Sequence, residues 1–283
     1  MNRIITIGVL AVAAAGSLLA QGSTAAKQPQ PKSKGEVEAL QALFNAGTPD
    51  ARIKAGDELL TKFADTEFKP IALFFIAASY EQKGDFDKMT VYAERTLEAD
   101  PGNYNAMLML ARNLAQRTRE HDLDKEEKLT KADKYAHQAE TALKDAAKPN
   151  PQITDDQWNT AKKELNAQVH ESLGLSAMVR KKYDVAVTEF KTALENSQEP
   201  ATSVRLGAAY NQAGKYDEAI AVLDKVMAQP DVNPQIKQFA QAEKVRATQA
   251  KNGPAKPATP PPGATTPPAG GTTPPGQVEI KKP

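Results

Sequence analysis

The sequence of 283 residues contains no cysteine. This absence excludes disulfide bonds, thiol catalysis, cysteine-ligated zinc and a cysteine-linked lipid anchor. An excess of either charge is also missing, because 36 lysines and arginines stand against 35 aspartates and glutamates. Proteins that bind nucleic acid usually carry a net positive charge, so we expect no nucleic-acid partner. Aromatic residues make up only 6% of the chain, which favours closely packed helices over a β-sandwich.

Catalytic motifs are missing as well. The chain has no glycine-rich phosphate loop and no Gly-x-Ser-x-Gly elbow. The three histidines, His121, His137 and His170, are far apart in the sequence. The acidic run at residues 122–127 lacks the glycine and the ligand spacing of a calcium loop. We therefore predict no enzymatic activity, no cofactor and no metal site.

Residues 1–25 have the features of a secretory signal peptide. Arg3 precedes an apolar stretch of 17 residues from Ile4 to Ala20, and Ser23-Thr24-Ala25 fits the small-x-small cleavage pattern. Cleavage there would release a periplasmic or secreted protein whose residues 26–34 form a short linker. The alternative is an uncleaved membrane anchor, since the apolar stretch reaches the lower length limit of a membrane span.

The other end of the chain differs in composition from the rest. Residues 251–283 hold ten of the 20 prolines, and their only large apolar residues are Val278 and Ile280. Such a segment buries too little apolar surface to offset the entropy of ordering, so we predict a disordered tail rich in proline, threonine and glycine. Its PxxP spacings leave two readings open, a solvated spacer and a ligand for an aromatic groove.

Between the two ends the sequence repeats itself. Two segments 130 residues apart share apolar, small and turn residues at the same spacing, and a third segment carries the later part of the pattern. The first reads Leu73, Ile76, Ala77, Tyr80, Gly84 and Phe86; the second reads Ser203, Leu206, Gly207, Tyr210, Gly214 and Tyr216; the third reads Leu173, Gly174, Tyr183, Ala186, Phe190 and Ala193.

These residues resemble the tetratricopeptide repeat, a pair of antiparallel helices in about 34 residues. In that pattern the small residues lie where the two helices cross, and glycine ends the first helix. Departures occur at Met89 and Thr96, where the family pattern has small residues. The resemblance extends over residues 35–250 and implies an all-α, right-handed superhelical solenoid of antiparallel helix pairs.

The repeat register divides this region into five helix pairs and a closing helix. The predicted units are 35–69, 70–103, 104–165, 166–199 and 200–233, followed by a capping helix at 234–250. The third unit is too long for the register, so we expect elongated helices there. Thr154 and Gln157 form a capping-box pattern that opens a helix running towards Arg180. Trp158 is expected to anchor this extension against the second helix of the third unit; a contact with a partner is the alternative.

The capping helix is predicted to carry one apolar face and one polar face. Ile236, Phe239, Ala240 and Val245 are assigned to the apolar face, and the other face consists of glutamine, lysine and glutamate. A polar outer face is what the end of a solenoid requires, because no further repeat covers it.

The family resemblance also implies a function. Repeats of this kind usually bind proteins in a concave groove lined by their first helices, so we predict an exported, non-enzymatic adaptor or scaffold that holds a segment of a partner protein. The alternative is a membrane-tethered assembly factor of the cell envelope. The family register assigns nine residues to the groove: Phe74, Ala78, Leu108, Arg112, Leu175, Met178, Val204, Ala208 and Asn211. Such a lining favours an apolar or amphipathic segment, with Arg112 and Asn211 as isolated polar groups.

Overall fold

The structure is a computed structural model that describes residues 29–149 and 152–253. Eleven α-helices and no strand occur in these two ranges, which confirms the all-α prediction. In chain order the helices are α1 (Lys34–Asn45), α2 (Pro49–Lys62), α3 (Lys69–Gln82), α4 (Phe86–Ala99), α5 (Tyr104–Arg117), α6 (Lys125–Asp145), α7 (Asp155–Val179), α8 (Tyr183–Asn196), α9 (Pro200–Gln212), α10 (Tyr216–Ala228) and α11 (Pro234–Asn252). The predicted signal peptide and residues 254–283 of the predicted tail lie outside the described residues. Lys251 and Asn252, which were assigned to the tail, form the end of α11 instead.

The helices form five consecutive pairs followed by the single helix α11. Each helix packs mainly against the helices before and after it in the sequence, as in a linear solenoid. The helix α7 begins at Asp155, where the capping box was predicted to open a helix inside the third unit. The predicted linker is tied to the first pair, because Lys32 Nζ bonds to Asp65 Oδ2 at 2.7 Å.

Polar caps and prolines set the helix ends. Thr48 and Asn103 accept hydrogen bonds from backbone N–H groups in the first turns of α2 and α5. The capping box predicted for α7 is present. Gln157 N donates to Thr154 Oγ1 at 3.2 Å, and Thr154 N donates to Gln157 Oε1 at 3.0 Å. These signals explain why α7 starts here and runs on to Val179.

The turn between the two helices of a pair needs a residue with positive φ. Gly84 has φ +72° and Gly214 has φ +74°, as the glycine pattern predicted. In the fourth pair this position is occupied by Lys181, with φ 60°. A side chain in this left-handed conformation costs free energy that glycine avoids.

Within a pair, small residues let the two helices approach closely. A Cβ atom added at Gly174 would lie 2.6 Å from the ring of Phe190, and one at Gly207 would lie 2.7 Å from Leu223. Both neighbours are fully buried. The predicted small positions at these two crossings are therefore confirmed, and each glycine is paired with a large side chain from the second helix.

The closing helix buries only some of the residues that we predicted. Ala240 and Ala247 are fully buried, whereas Phe239 is 58% exposed and Val245 is 42% exposed. The assignment of Phe239 and Val245 to an inward apolar face is wrong. Successive residues of a helix are about 100° apart, so Phe239 lies beside the Ala240–Ala247 stripe and Val245 lies opposite it. In the described chain no second helix follows α11 to cover these two side chains. The outer face of α11 is thus partly apolar.

The elongated helices α6 and α7 pack against each other along their length. Near one end of the pair Trp158 is 5% exposed, and its Nε1–H donates to the carbonyl oxygen of Ala146 at 3.2 Å. Near the other end Arg180 bonds to Glu126 at 2.9 Å and to Asp133 at 2.7 Å. The predicted anchoring role of Trp158 is confirmed, since Ala146 caps α6, the second helix of the third pair.

Candidate protein-binding groove

The first helices α3, α5, α7 and α9 carry residues at matching positions of the repeat register, and we call this set of residues the first-helix face. On α3 it contains Phe74, Ala78 and Glu81, and on α7 it contains Glu171, Leu175 and Met178. These residues recur at intervals of three or four and therefore share one side of their helix. The corresponding positions on α5 are Leu108 and Arg112, and on α9 they are Val204, Arg205, Ala208 and Asn211.

Seven of the nine predicted groove residues are partly open to solvent, namely Arg112 and six apolar residues. The apolar residues are Phe74, Ala78, Leu175, Met178, Val204 and Ala208. Phe74 and Ala78 pack beside the core formed by α3, α4 and α5. Leu175 and Met178 pack beside the core formed by α7, α8 and α9. All six side chains are apolar, so the face offers apolar surface to solvent beside the partly exposed ion pairs Glu81–Arg112 and Glu171–Arg205.

Two predicted groove residues are buried instead. Leu108 is 4% exposed and belongs to the core between α5, α6 and α7. Asn211 is 8% exposed, and its Nδ2 donates to the Glu243 carbonyl oxygen at 3.0 Å and to Glu243 Oε2 at 2.9 Å. The assignment of both to an open groove is wrong, because the elongated α7 covers Leu108 and the closing helix covers Asn211.

Arg112 does not stand as an isolated polar group either. Its Nη2 donates to Glu81 Oε1 at 2.5 Å, which joins α5 to α3. The two side chains are 35% and 29% exposed. This ion pair occupies the first-helix face at α5. It separates the partly exposed apolar residues into two patches. One patch lies on α3, and the other lies on α7 and α9.

Sequence reasoning missed the polar links between neighbouring first helices. Besides Glu81 with Arg112 and Asn211 with Glu243, Glu171 on α7 pairs with Arg205 on α9 and accepts a hydrogen bond from Thr202 at 3.1 Å. The separations along the chain are 31 to 34 residues. The available signal was a charged or amide residue recurring at one repeat length on the same stripe.

A second row of ion pairs joins the starts of the second helices. An aspartate in the first turn of one second helix pairs with a lysine at or near the following turn. The pairs are Asp50 with Lys83, Asp184 with Lys215 and Asp217 with Lys251. All six side chains are well exposed, so these pairs add little stability. Their main effect is to place opposite charges next to each other on neighbouring repeats.

The described parts of the chain offer few groups for chemistry. No cluster of three or more histidine, cysteine, aspartate or glutamate side chains within them is placed to hold a metal ion. No helix in the same two ranges has the length and apolar character needed to cross a membrane. His170 is bonded through Nδ1 to Glu189 Oε2 at 2.8 Å. This hydrogen bond to the Glu189 carboxylate raises the pKa of His170 above its ordinary value.

Comparison with known proteins agrees with the repeat architecture. The family described as Tetratricopeptide repeat matches residues 202–228, which contain most of α9 and all of α10. No curated protein sequence matches the chain.

Solved structures are similar to this chain over a larger share of its length. A thermophilic TPR protein from Thermus thermophilus is 19% identical, with a TM-score of 0.50, and the match covers 74% of this chain and 99% of that one. An assembly chaperone of RpL4 is 12% identical, with a TM-score of 0.41, over 77% of this chain and 98% of that one. Residues 202–228 thus match a tetratricopeptide repeat, and the paired-helix fold is similar to that of a solved tetratricopeptide repeat protein.

Proposed function

We propose that the chain is an exported, non-enzymatic scaffold that binds a segment of a partner protein on its first-helix face. The observation that carries this proposal is the apolar patch on α7 and α9. Leu175, Met178, Val204 and Ala208 all lie on this face and are all partly open to solvent. Covering such apolar surface is favourable, at about 25 cal/mol per Å².

The chemistry of the face restricts the class of partner. Arg112 and Asn211, the polar groups expected to hold a peptide backbone or an acidic side chain, already bond to Glu81 and Glu243. A bound segment therefore finds apolar contacts at α3 and at α7 with α9, separated by the Glu81–Arg112 pair. An amphipathic segment with two apolar clusters fits this arrangement better than a polar peptide does.

A pair of double variants tests the binding site. Leu175→Ser with Met178→Ser removes the apolar contacts of α7, whereas Val91→Ser with Val185→Ser makes a similar change at exposed valines on the second helices α4 and α8. Cross-linking in the native cell followed by mass spectrometry measures partner capture. The first-helix-face variant is expected to lower capture about tenfold, a change of about 1.4 kcal/mol, and the valine variant is expected to leave it unchanged.

Circular dichroism and thermal melting must first show that both variants keep the parent fold. Equal capture by parent and first-helix-face variant would contradict the assignment of the binding site. Export is tested separately by cell fractionation and N-terminal sequencing. A soluble periplasmic or secreted protein that starts near Ala26 supports the scaffold as proposed. Carbonate-resistant membrane association with Met1 retained would instead support the tethered assembly factor.

A further inference from the structure

The elongated α6 and α7 extend past the end of α8 and leave an open cleft beside it. Asn166 on α7 and Asn196, the last residue of α8, both border this cleft, which has a volume of about 780 Å³. Residues 155–165 of α7 precede that point and have no part of α8 beside them. At 1.5 Å per residue this stretch of helix is about 16 Å long.

Cationic side chains dominate the charged groups that line the cleft. Lys144 comes from α6, and Lys162, Lys163 and His170 come from α7. Neither Lys144 nor Lys163 forms an ion pair with any residue in 29–149 or 152–253. The raised pKa of His170, caused mainly by its hydrogen bond to Glu189, favours the protonated ring. His170 is paired with Glu189, so the positive charge that the cleft offers a ligand is that of Lys144, Lys162 and Lys163.

Amide groups alternate with these cations along α7. Asn159, Lys163, Asn166 and His170 recur at intervals of three or four and share one stripe of the helix. An asparagine amide donates to carboxylate or carbonyl oxygen and also accepts from a peptide N–H. The stripe thus offers charge for side-chain carboxylates and hydrogen bonds for a peptide backbone.

Two acidic residues interrupt the cationic lining. Glu140 on α6 and Asp156 on α7 both border the cleft. They repel a ligand with a uniform run of negative charge, such as a nucleic acid or a polyphosphate. A peptide with spaced carboxylates avoids them, and about five extended residues match the length of the exposed stretch of α7.

We propose that this cleft binds an acidic, extended segment of a protein partner, with its carboxylates at Lys144 and Lys163. The site is separate from the first-helix face. The stripe with Lys163 and His170 lies about a third of a turn from the stripe with Leu175 and Met178, since successive residues are about 100° apart. The proposal goes beyond the groove function, and either site can be disproved without the other.

The test measures direct binding of a defined probe to the full chain. The probe is a dye-labelled peptide of about six Glu-Gly repeats, and the same peptide with glutamine in place of glutamate is the reference; fluorescence anisotropy gives both dissociation constants. Lys144→Gln with Lys163→Gln removes two cleft charges. Lys134→Gln with Lys191→Gln removes two exposed charges from α6 and α8 outside the cleft, so net charge is matched.

The expected result is that the glutamate peptide binds more tightly than the glutamine peptide. The cleft variant should weaken this binding about tenfold, or about 1.4 kcal/mol, while the control variant changes it less than about twofold. The emission of Trp158, the only tryptophan, should also change in the parent, because the Lys162 ammonium lies 5.8 Å from its ring centroid at the edge of the cleft.

Three results would overturn the proposal. The first is equal binding of the two peptides, which would remove any role for carboxylates. The second is equal weakening by the two double variants, which would show an effect of net charge rather than of the cleft. The third is tighter binding of a single-stranded oligonucleotide of the same charge, which would assign the cleft to nucleic acid. All four lysines are on the surface of helices, and circular dichroism checks that the variants are folded.

Discussion

Glu81 on α3 and Arg112 on α5 are 31 residues apart in the sequence and form an ion pair with an Oε1–Nη2 distance of 2.5 Å. Their side chains are 29% and 35% exposed. The pair joins two first helices that otherwise contact each other little, since α4 supplies most of the packing between them. It is therefore a direct link between neighbouring repeats.

We expect this pair to contribute more stability than the exposed pairs at the second-helix starts. A double-mutant cycle with Glu81→Gln and Arg112→Gln should give a coupling energy of about 1 kcal/mol. The Asp184–Lys215 pair, with side chains 79% and 43% exposed, should give a smaller coupling energy. Urea denaturation measures both couplings, and equal values would show that burial does not distinguish the two kinds of pair.

The repeat architecture could be predicted because it depends on local signals. Caps such as Thr154, turn glycines such as Gly84 and crossing residues such as Gly174 each specify their own neighbourhood. In a solenoid, most contacts are between neighbouring elements of the sequence. The fold class therefore followed from the pattern without knowledge of distant contacts.

The candidate groove could be predicted only in part, because exposure depends on what lies beyond the repeat. Leu108 occupies a groove position in the register but is buried in a core that includes Val169 and Leu173 of α7. Phe239 was assigned to an inward position but is exposed, because it lies beside the buried Ala240–Ala247 stripe and no second helix follows α11 in the described chain. The repeat register predicts on which side of its helix a residue lies. Whether that side is exposed to solvent depends on the neighbouring helices.

The contact between Gly174 and Phe190 makes a specific prediction about packing. Gly174→Ala should destabilise the protein by about 1 kcal/mol. The gain in helix propensity, up to about 1 kcal/mol, is outweighed by overpacking of about 1–3 kcal/mol, because the Phe190 ring is fully buried and its nearest atom would lie 2.6 Å from the new Cβ.

The matched control for this prediction is Gly47→Ala. Its added Cβ would meet no atom within 4 Å, so stability should stay the same or rise by up to about 1 kcal/mol. Adding Phe190→Leu to Gly174→Ala should restore part of the loss caused by the alanine. Thermal melting of the three variants tests the argument, and a Gly174→Ala protein as stable as the parent would show that the crossing has room to spare.

Lys181 is a site where a substitution should increase stability. Its φ of 60° costs about 1–2 kcal/mol for a residue with a side chain, and the equivalent turns use Gly84 and Gly214. Lys181→Gly should therefore be more stable than Lys181→Ala by about 1 kcal/mol. Both variants lose the exposed ion pair with Glu120, so the difference between their free energies of unfolding reports the cost of the backbone conformation at residue 181. Chemical denaturation measures this difference. Equal free energies of unfolding for the alanine and glycine variants would show that the positive φ angle costs nothing at this position.

The pair of His170 and Glu189 predicts a pH-dependent contribution to stability. The side chains are 20% and 23% exposed, with an Nδ1–Oε2 distance of 2.8 Å, and the hydrogen bond to Glu189 raises the pKa of His170 in the folded state above its ordinary value of 6.5. Glu140 on α6 and Glu195 on α8 act in the same direction, and burial opposes them. A raised folded-state pKa stabilises the protein fully below the unfolded value of 6.5, and this contribution is lost as the pH rises through the folded value.

The stability difference between the parent and His170→Gln should accordingly be largest near pH 6, at about 1 kcal/mol, and should shrink towards pH 9. Urea denaturation across this range gives the difference at each pH. Glu189→Gln removes the partner and should abolish most of the pH dependence, whereas His137→Gln, a change at a histidine whose side chain is 64% exposed, should keep it. A difference that stays constant from pH 6 to pH 9 would mean that the two side chains contribute through packing alone, without the protonated ring.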